Sequence, residues 1–263
     1  AYGWRGNITC HPAAGRPGSV DRTATARTQI SDFCNRADGY RRMVLHYAAL
    51  AAQAGGVDAF LIGSELRGLT RVRDEANAFP FVEELVRLAG DVRAIVGGST
   101  RLTYAADWSE YFGYHPADGT GDVFFNLDAL WASPNIDAVG IDNYMPLSDW
   151  RDEDMLGANP DGFVGPDDAA GFARNIEAGE GFDWYYGSDA ERASRTRSPI
   201  ADGLKGKHWI FRNKDLRGWW QNRHYDRIGG AERTTPSAWM PGMKPIWFTE
   251  LGCAAIDKGG NEP

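Results

Sequence analysis

Apolar residues in this chain alternate between short runs typical of buried strands and longer stretches with helical spacing. The predicted strands are residues 4–10, 59–65, 101–107, 136–142 and 244–250, and the predicted helices are residues 22–36, 38–55, 80–97 and 214–227. Apolar strands that alternate with amphipathic helices indicate a parallel sheet covered by helices. The pattern therefore predicts an α/β protein, either a barrel or an open doubly wound sheet.

Two of the predicted helices carry one apolar face each. In residues 38–55 the face consists of Tyr40, Met43, Val44, Tyr47, Leu50, Ala51 and Ala54. In residues 80–97 it consists of Phe81, Leu85, Leu88, Val92 and Ile95. We expect the face of the first helix to lie on the sheet, because an apolar stripe at this spacing is normally buried.

Polar residues stand at the carboxyl end of strand after strand. They are His11, Glu65, Asp107, Asp142 with Asn143, and Glu250. In a barrel these ends converge on one rim, where catalytic groups are placed. No strand is followed by a glycine-rich phosphate-binding motif of the kind common in doubly wound folds. The barrel is therefore the favoured architecture, with a site at its rim.

Composition narrows the range of partners. The chain has 263 residues, is 43% hydrophobic and carries a net charge of −8, which disfavours nucleic acid and anionic lipid as ligands. No apolar stretch is long enough to span a bilayer, so membrane insertion is not expected. The cysteines, Cys10, Cys34 and Cys253, are odd in number and widely spaced, which predicts reduced, buried side chains. No cluster has metal-ligand spacing, so no metal or other cofactor is expected.

The two glutamates at strand ends, Glu65 and Glu250, suggest a specific chemistry. Glycoside hydrolysis needs one carboxylic acid to protonate the leaving oxygen and one carboxylate across the anomeric carbon. A carboxylate at a strand end also has a simpler interpretation, as a cap of the following helix or a partner of an arginine such as Arg67. The residues alone leave both interpretations open.

Five segments carry a resemblance to a known family. They are "RGNITCHPAAGRPG", "GGVDAFLIGSELRGLT", "LTYAADWSEY", "VGIDNYMPLSDWRD" and "KPIWFTELGC". Their sequence and order resemble the TIM-barrel-like domain of the large tail protein of gene transfer agents, which are phage-like particles, and related segments occur in phage host-specificity proteins. The layout of the two glutamates is similar to that of retaining (β/α)8 glycoside hydrolases. The resemblance covers nearly the whole chain.

The resemblance implies that Glu65 is the acid/base and Glu250 the nucleophile. The pKa of Glu65 should then be raised by burial or by the charge of Glu250, which should stay ionised. Tyr144 follows the predicted strand at residues 136–142, which corresponds to strand six of these hydrolases, and is at a position from which they contact the nucleophile. Where most of them have asparagine before the acid/base, to bond the sugar 2-hydroxyl, this chain has Ser64.

Five further residues near strand ends are candidate substrate-binding groups. Asp107 and Trp108 could orient a catalytic glutamate or bond a sugar, although Asp107 could equally cap a loop. Asp142 and Asn143 end strand six, beside Tyr144. His11 is also a candidate, with a structural histidine as the alternative.

In the numbering of the hydrolases, strands one, two and eight have no counterpart here. The resemblance therefore implies an incomplete barrel within a longer polypeptide. Residues 146–243 are too many for a βα connection and predict an insertion between strands six and seven. Six of the ten tryptophans stand at or after residue 184. Within this aromatic-rich stretch Trp184 and Tyr185 are candidates for stacking on sugar rings.

Three functions are compatible with these features. The first is a retaining glycosidase that acts on a cell-surface glycan, and the second is a carbohydrate-binding domain without turnover. The third is a structural tail module. The resemblance implies synthesis in the cytoplasm and assembly into the tail of a phage-like particle, with a cell-envelope glycan and other tail or baseplate proteins as partners.

Overall fold

The computed structural model of the chain describes residues 3–260, which divide into two compact units. The first unit combines residues 3–142 with 222–249, and the second combines residues 143–221 with 250–260. The strands are β1 (Ala59–Ser64), β2 (Arg101–Asp107), β3 (Val139–Asn143), β4 (Trp184–Tyr185), β5 (Ser198–Pro199), β6 (Arg227–Ile228), β7 (Ala231–Glu232) and β8 (Ile246–Leu251). The helices are α1 (Ala24–Asn35), α2 (Tyr40–Gln53), α3 (Arg67–Thr70), α4 (Pro80–Val96), α5 (Asp128–Trp131), α6 (Ala169–Arg174), α7 (Asp189–Ser194) and α8 (Leu216–Gln221).

The main sheet has four parallel strands in the order β1-β2-β3-β8. Its register sets Ala59 beside Arg101 and Ala105 beside Gly140. Six of the seven residues of β2 are buried, as expected for a strand between two parallel neighbours. Four of the five predicted strands are therefore confirmed. The described strands form no closed eight-stranded barrel, so that part of the predicted architecture is not found.

The prediction of a strand at residues 4–10 is wrong. A 3₁₀ helix, Arg5–Asn7, occupies this segment. The indole of Trp4 folds back over Gly6, where a side chain would collide with the ring. Local packing at a glycine therefore replaces the extended conformation that the apolar pattern suggested.

The predicted helix at residues 214–227 is shorter than expected, because only α8, Leu216–Gln221, is helical. Arg227 lies in β6, which pairs with β7 in a hairpin. Gly229 and Gly230 form its turn with φ values of 58° and 74°. Two adjacent glycines at positive φ are the signature of a tight hairpin, and this signal outweighed the helical spacing.

The apolar face predicted for α2 is not buried on the sheet. Met43, Tyr47 and Leu50 are exposed, whereas Val44 and Ala48 are buried. The helix packs mainly on α1 and α4, and it contacts the sheet at β1, where the hydroxyl of Tyr40 donates to the carbonyl oxygen of Ile62 at 2.7 Å. By contrast, the face of α4 is buried as expected, apart from Ile95 at its last turn.

The second unit contains short elements joined by ion pairs. Asp154 contacts Arg195 at 2.6 Å, and Arg197 pairs with Asp161 at 2.8 Å and with Asp149 at 3.0 Å. These carboxylates accept several hydrogen bonds each, which is how charged groups become compatible with partial burial.

All three cysteines are free thiols, as expected. Cys10 and Cys34 are buried, but Cys253 is exposed, so the predicted burial is wrong for that residue. In residues 3–260 the helices are all too short or too polar to cross a membrane.

Gly140 lies where β2 and β3 approach too closely to admit a side chain. A Cβ atom there would press against the carbonyl oxygen of Tyr104 and lie 2.9 Å from Oγ1 of Thr103. We expect Gly140→Ala to lower the free energy of unfolding by roughly 1–3 kcal/mol, the usual range for overpacking. Gly98→Ala is the matched control, because a Cβ there meets no atom within 4 Å. Urea unfolding of the two variants measures the difference, and equal midpoints would contradict this account of the sheet.

Candidate active site

The first candidate glutamate, Glu65, directly follows β1 in a left-handed backbone conformation with φ of 52°. Its N–H donates to the carbonyl oxygen of Ala105 at 2.8 Å. The next N–H, of Leu66, donates to the hydroxyl of Tyr104 at 2.6 Å. Such a conformation is costly for a residue other than glycine and persists where neighbouring structure holds it. Here β2 holds it.

The carboxyl group of Glu65 lies in a mostly buried position, with 12% of the side chain exposed. The indole Nε1 of Trp4 donates to Oε2 at 2.7 Å, and Nε of Arg5 lies 3.9 Å from the same oxygen. Burial is the largest effect and raises the pKa of Glu65, with the charges of Asp107 and Asp142 adding to it. Trp4 and Arg5 oppose the rise. A raised pKa is the shift expected for a general acid.

Asp142 is fully buried and joins three strands at their carboxyl ends. Its Oδ2 accepts a hydrogen bond from Oγ of Ser64 at 3.1 Å, and its Oδ1 accepts one from Oγ1 of Thr249 at 2.7 Å. Ser64 ends β1 and Asp142 lies in β3, with β2 between them. Strands two places apart are separated by about 9.5 Å in a flat sheet, so this contact requires the sheet to curve.

The same contact explains the residue that departs from the hydrolase pattern. Ser64 donates its hydroxyl hydrogen to Asp142, and this hydrogen bond links β1 to β3 within the sheet. An asparagine at this position would offer two N–H donors, whereas serine offers only one. A sugar 2-hydroxyl therefore has no free donor from residue 64.

The second candidate glutamate, Glu250, is the fifth residue of β8 and is exposed. The hydroxyl of Tyr144 donates to its Oε2 at 2.8 Å. The contact expected between Tyr144 and this carboxylate is therefore present. Tyr144 is itself held close to β8, because the N–H of Gly252 donates to the carbonyl oxygen of Asn143 at 3.2 Å. The side chain of Asn143 accepts from the N–H of Met145 at 3.1 Å and so shapes the turn.

Asp107 and Trp108 follow β2. Asp107 is 7% exposed and accepts hydrogen bonds from Ser109, including one from its N–H at 2.9 Å, which is the geometry of a loop cap. Trp108 is half-buried. Asp107 also acts electrostatically on Glu65, through the effect on the pKa described above.

His11 lies in an exposed loop. Its main chain exchanges two hydrogen bonds with the amide of Gln29, at 2.8 and 2.7 Å. The backbone contacts give this residue a structural role, and its imidazole remains exposed.

Trp184 and Tyr185 differ in exposure. Trp184 is 9% exposed, and the guanidinium of Arg197 lies 3.8 Å from the centre of its ring. Because its ring is covered, Trp184 does not offer the face that stacking on a sugar would need, contrary to the expectation. Its role is packing and cation–π contact. Tyr185 is 47% exposed and remains a prediction as a sugar contact.

Two important residues near Glu65 were missed from the sequence. Trp4 had no signal beyond its place in an apolar run. Glu110 lies within the segment "LTYAADWSEY" and is fully buried, where it accepts from the hydroxyls of Thr70 at 2.6 Å and Tyr104 at 3.0 Å. Burial raises the pKa of Glu110 to about 7. Glu110 thus fixes the tyrosine whose hydroxyl holds the turn after Glu65.

Comparison with known proteins gives one family. No curated protein and no solved structure matches the chain significantly. The model of the GTA TIM-barrel-like domain, where GTA denotes gene transfer agent, matches residues 38–263, a span that includes both glutamates, Asp142 and Tyr144. The chain belongs to the family of gene transfer agent TIM-barrel-like domains.

Proposed function

We propose that this chain is a glycoside hydrolase-like domain of a phage-like tail protein and cleaves a cell-surface glycan with retention of configuration. The observation that carries the proposal is the environment of Glu65. Its carboxyl group is mostly buried, has a raised pKa and follows a parallel strand in a strained turn. A carboxyl group whose pKa is raised keeps its proton to higher pH, which is what a general acid requires.

In the proposed reaction the protonated Glu65 donates its proton to the glycosidic oxygen as the bond to the anomeric carbon breaks. The carboxylate of Glu250 attacks that carbon from the opposite face and forms a glycosyl ester. Glu65, now ionised, takes a proton from water, whose oxygen attacks the anomeric carbon and releases Glu250. Two inversions give net retention, and both glutamates return to their starting states.

The proposal needs the two carboxyl groups to face one sugar, about 5–5.5 Å apart. Glu65 follows β1, and Glu250 lies near the end of β8, and both strands belong to one parallel sheet. Carboxyl ends of parallel strands share one edge of the sheet. Within the first unit, the bonds of Asp142 to Ser64 and Thr249 tie together the carboxyl ends of β1, β3 and β8, and this supports the proposal.

Tyr144 fits the role of orienting the nucleophile. Its hydroxyl donates to the Glu250 oxygen at 2.8 Å, which fixes one carboxylate oxygen and leaves the other for attack. A neutral donor achieves this without forming a salt bridge that would weaken the nucleophile.

A carbohydrate-binding domain without turnover is the second candidate. The observation that favours it is the bond from Ser64 to Asp142, which leaves the sugar 2-hydroxyl without the donor that hydrolases supply. Hydrogen bonds to that hydroxyl strengthen in the transition state, so their loss lowers the rate more than the affinity.

Membership of the family supports a place in a phage-like particle. We infer that the domain is assembled, after synthesis in the cytoplasm, into the tail with other tail or baseplate proteins and meets the glycan of the cell envelope there.

A screen of bacterial envelope glycans, scored for binding and for release of reducing ends, tests the proposal. We expect the wild type to bind and release, and Tyr185→Ala to bind at least several-fold more weakly because an exposed ring face is lost. Tyr47→Ala is the matched control, since Tyr47 is also an exposed tyrosine, 59% exposed, on α2. Binding without release would favour the binding domain. The absence of both would favour a structural module.

A further inference from the structure

A cleft of about 710 Å³ lies beside α3 in the first unit and has no part in the proposed mechanism. Its lining includes Arg67, Arg71, Arg73, Tyr114, His115 and Ser19. The volume falls within the range of about 300–1,000 Å³ typical of small-molecule sites.

The cleft has an excess of positive charge. Its charged lining consists of four arginines, Arg22, Arg67, Arg71 and Arg73, and two aspartates, Asp21 and Asp118. His115 adds no charge at neutral pH, because burial and then the charges of Arg71 and Arg227 lower its pKa to about 4. The two excess positive charges stand out in a chain whose net charge is −8.

The two aspartates are already paired. Asp21 contacts Arg73 at 3.3 Å, and Asp118 contacts Arg22 at 3.3 Å. Arg67 and Arg71 form no ion pair with any residue between 3 and 260, and the buried Nε atom of each has no hydrogen-bond partner there. Among the described residues, Arg71 donates only to the carbonyl oxygen of Ser109, at 2.8 Å.

Holding these two cations without an ion pair is unfavourable, and the charges of Asp107 and Glu110 nearby offset that cost only in part. Burial lowers the pKa of Arg67, and it lowers the pKa of Arg71 to about 10. A partly buried charge without a partner is destabilising until an anion neutralises it. The guanidinium carbons of Arg71 and Arg73 lie 5.3 and 5.5 Å from the centre of the Tyr114 ring, which keeps both groups in place before any ligand arrives.

We propose that this cleft binds the carboxylate or phosphate group of an acidic saccharide, and that the glycan on which the chain acts is anionic. The guanidinium fork matches both oxyanions. Asn7, Thr9 and Ser19 line the same cleft and supply hydrogen-bonding groups for sugar hydroxyls. Arg67 stands two residues after Glu65, so the anion site adjoins the proposed acid/base along the chain. The identity of the saccharide as substrate rests on the proposed function, whereas its binding does not.

Isothermal titration calorimetry with matched ligands tests the inference. The panel comprises oligogalacturonate and its methyl ester, a sialylated and a phosphorylated oligosaccharide, and inorganic phosphate. We expect at least one acidic saccharide to bind, and to bind at least tenfold more weakly to Arg67→Gln and to Arg71→Gln. Arg42→Gln is the control, because it removes the same charge at an exposed site on α2. Its affinity for the saccharide should lie within twofold of that of the wild type. Circular dichroism checks the fold, and Arg67→Lys, which keeps the charge, should bind with intermediate affinity.

Several results would overturn the inference. One is that no acidic saccharide binds. Another is that only oligogalacturonate and its methyl ester bind, and that they bind equally well. A third is that both arginine variants bind with the affinity of the wild type. Inorganic phosphate that binds as tightly as the phosphorylated saccharide would overturn the assignment to a saccharide. Binding of an acidic saccharide without its hydrolysis would support the anion site and count against the hydrolase. Hydrolysis of neutral glycans alone would support the hydrolase and count against the anion site.

Discussion

Glu250→Gln is expected to lower glycan hydrolysis by a factor on the order of 10⁴ or more while ground-state binding stays within a few-fold of wild type. The amide keeps the shape of the carboxylate and can still accept from Tyr144, whose hydroxyl lies 2.8 Å from Oε2. It cannot attack the anomeric carbon, so only the covalent step is lost. Reducing-end release and calorimetry on the same glycan measure the two effects separately.

Glu75→Gln is the control for this substitution, because Glu75 is an exposed glutamate outside the site. It should release reducing ends at the wild-type rate. A Glu250→Gln variant with more than a tenth of wild-type turnover would remove residue 250 from the role of nucleophile.

Glu65→Gln is expected to lower hydrolysis of natural glycans by about 10²–10⁴-fold, the usual contribution of a general acid. Aryl glycosides with good leaving groups need little protonation, so the first step on these substrates should be affected far less. A variant that loses both substrates equally would point to structural damage instead, since the Glu65 side chain also accepts a bond from Trp4.

The same residue sets an expected pH dependence. Glu65 acts while protonated, so kcat/KM should fall as pH rises through its pKa, which burial has raised. The indole of Trp4 stabilises the ionised form and lowers this pKa. In Trp4→Phe the fall should therefore move to higher pH. An unmoved profile in that variant, or one that moves to lower pH, would argue against Glu65 as the acid.

Apolar spacing was sufficient to locate the elements that form the sheet. β2 matches the predicted residues 101–107 at both ends, because continuous apolar runs are typical of strands buried on both faces. The same spacing failed for α2, where Met43 and Tyr47 are exposed. Periodicity reports that a helix has an apolar side, but it does not report what covers that side.

The candidate site was only partly visible in the sequence. Glu65 and Glu250 stood out because a carboxylate at the end of an apolar strand is unusual, and family motifs gave Tyr144. Trp4 acts through a contact with Glu65, which is distant in sequence, and Glu110 acts through a buried contact with Tyr104. Neither residue has a local sequence signature. Ser64 could be recognised as a departure from the hydrolase pattern, but its bond to Asp142, 78 residues away, depends on the curvature of the sheet.

In the proposed reaction Glu250 becomes covalently bonded to sugar while Glu65 supplies the proton. Peptide mapping by mass spectrometry, after incubation with cyclitol epoxides that cover the common hexose configurations, tests it most directly, because such epoxides trap the nucleophile of a retaining site. We predict one adduct, on the peptide that contains Glu250, present in Glu75→Gln and absent in Glu250→Gln. An adduct on a different carboxylate, or no adduct in a preparation that hydrolyses its glycan, would contradict the account.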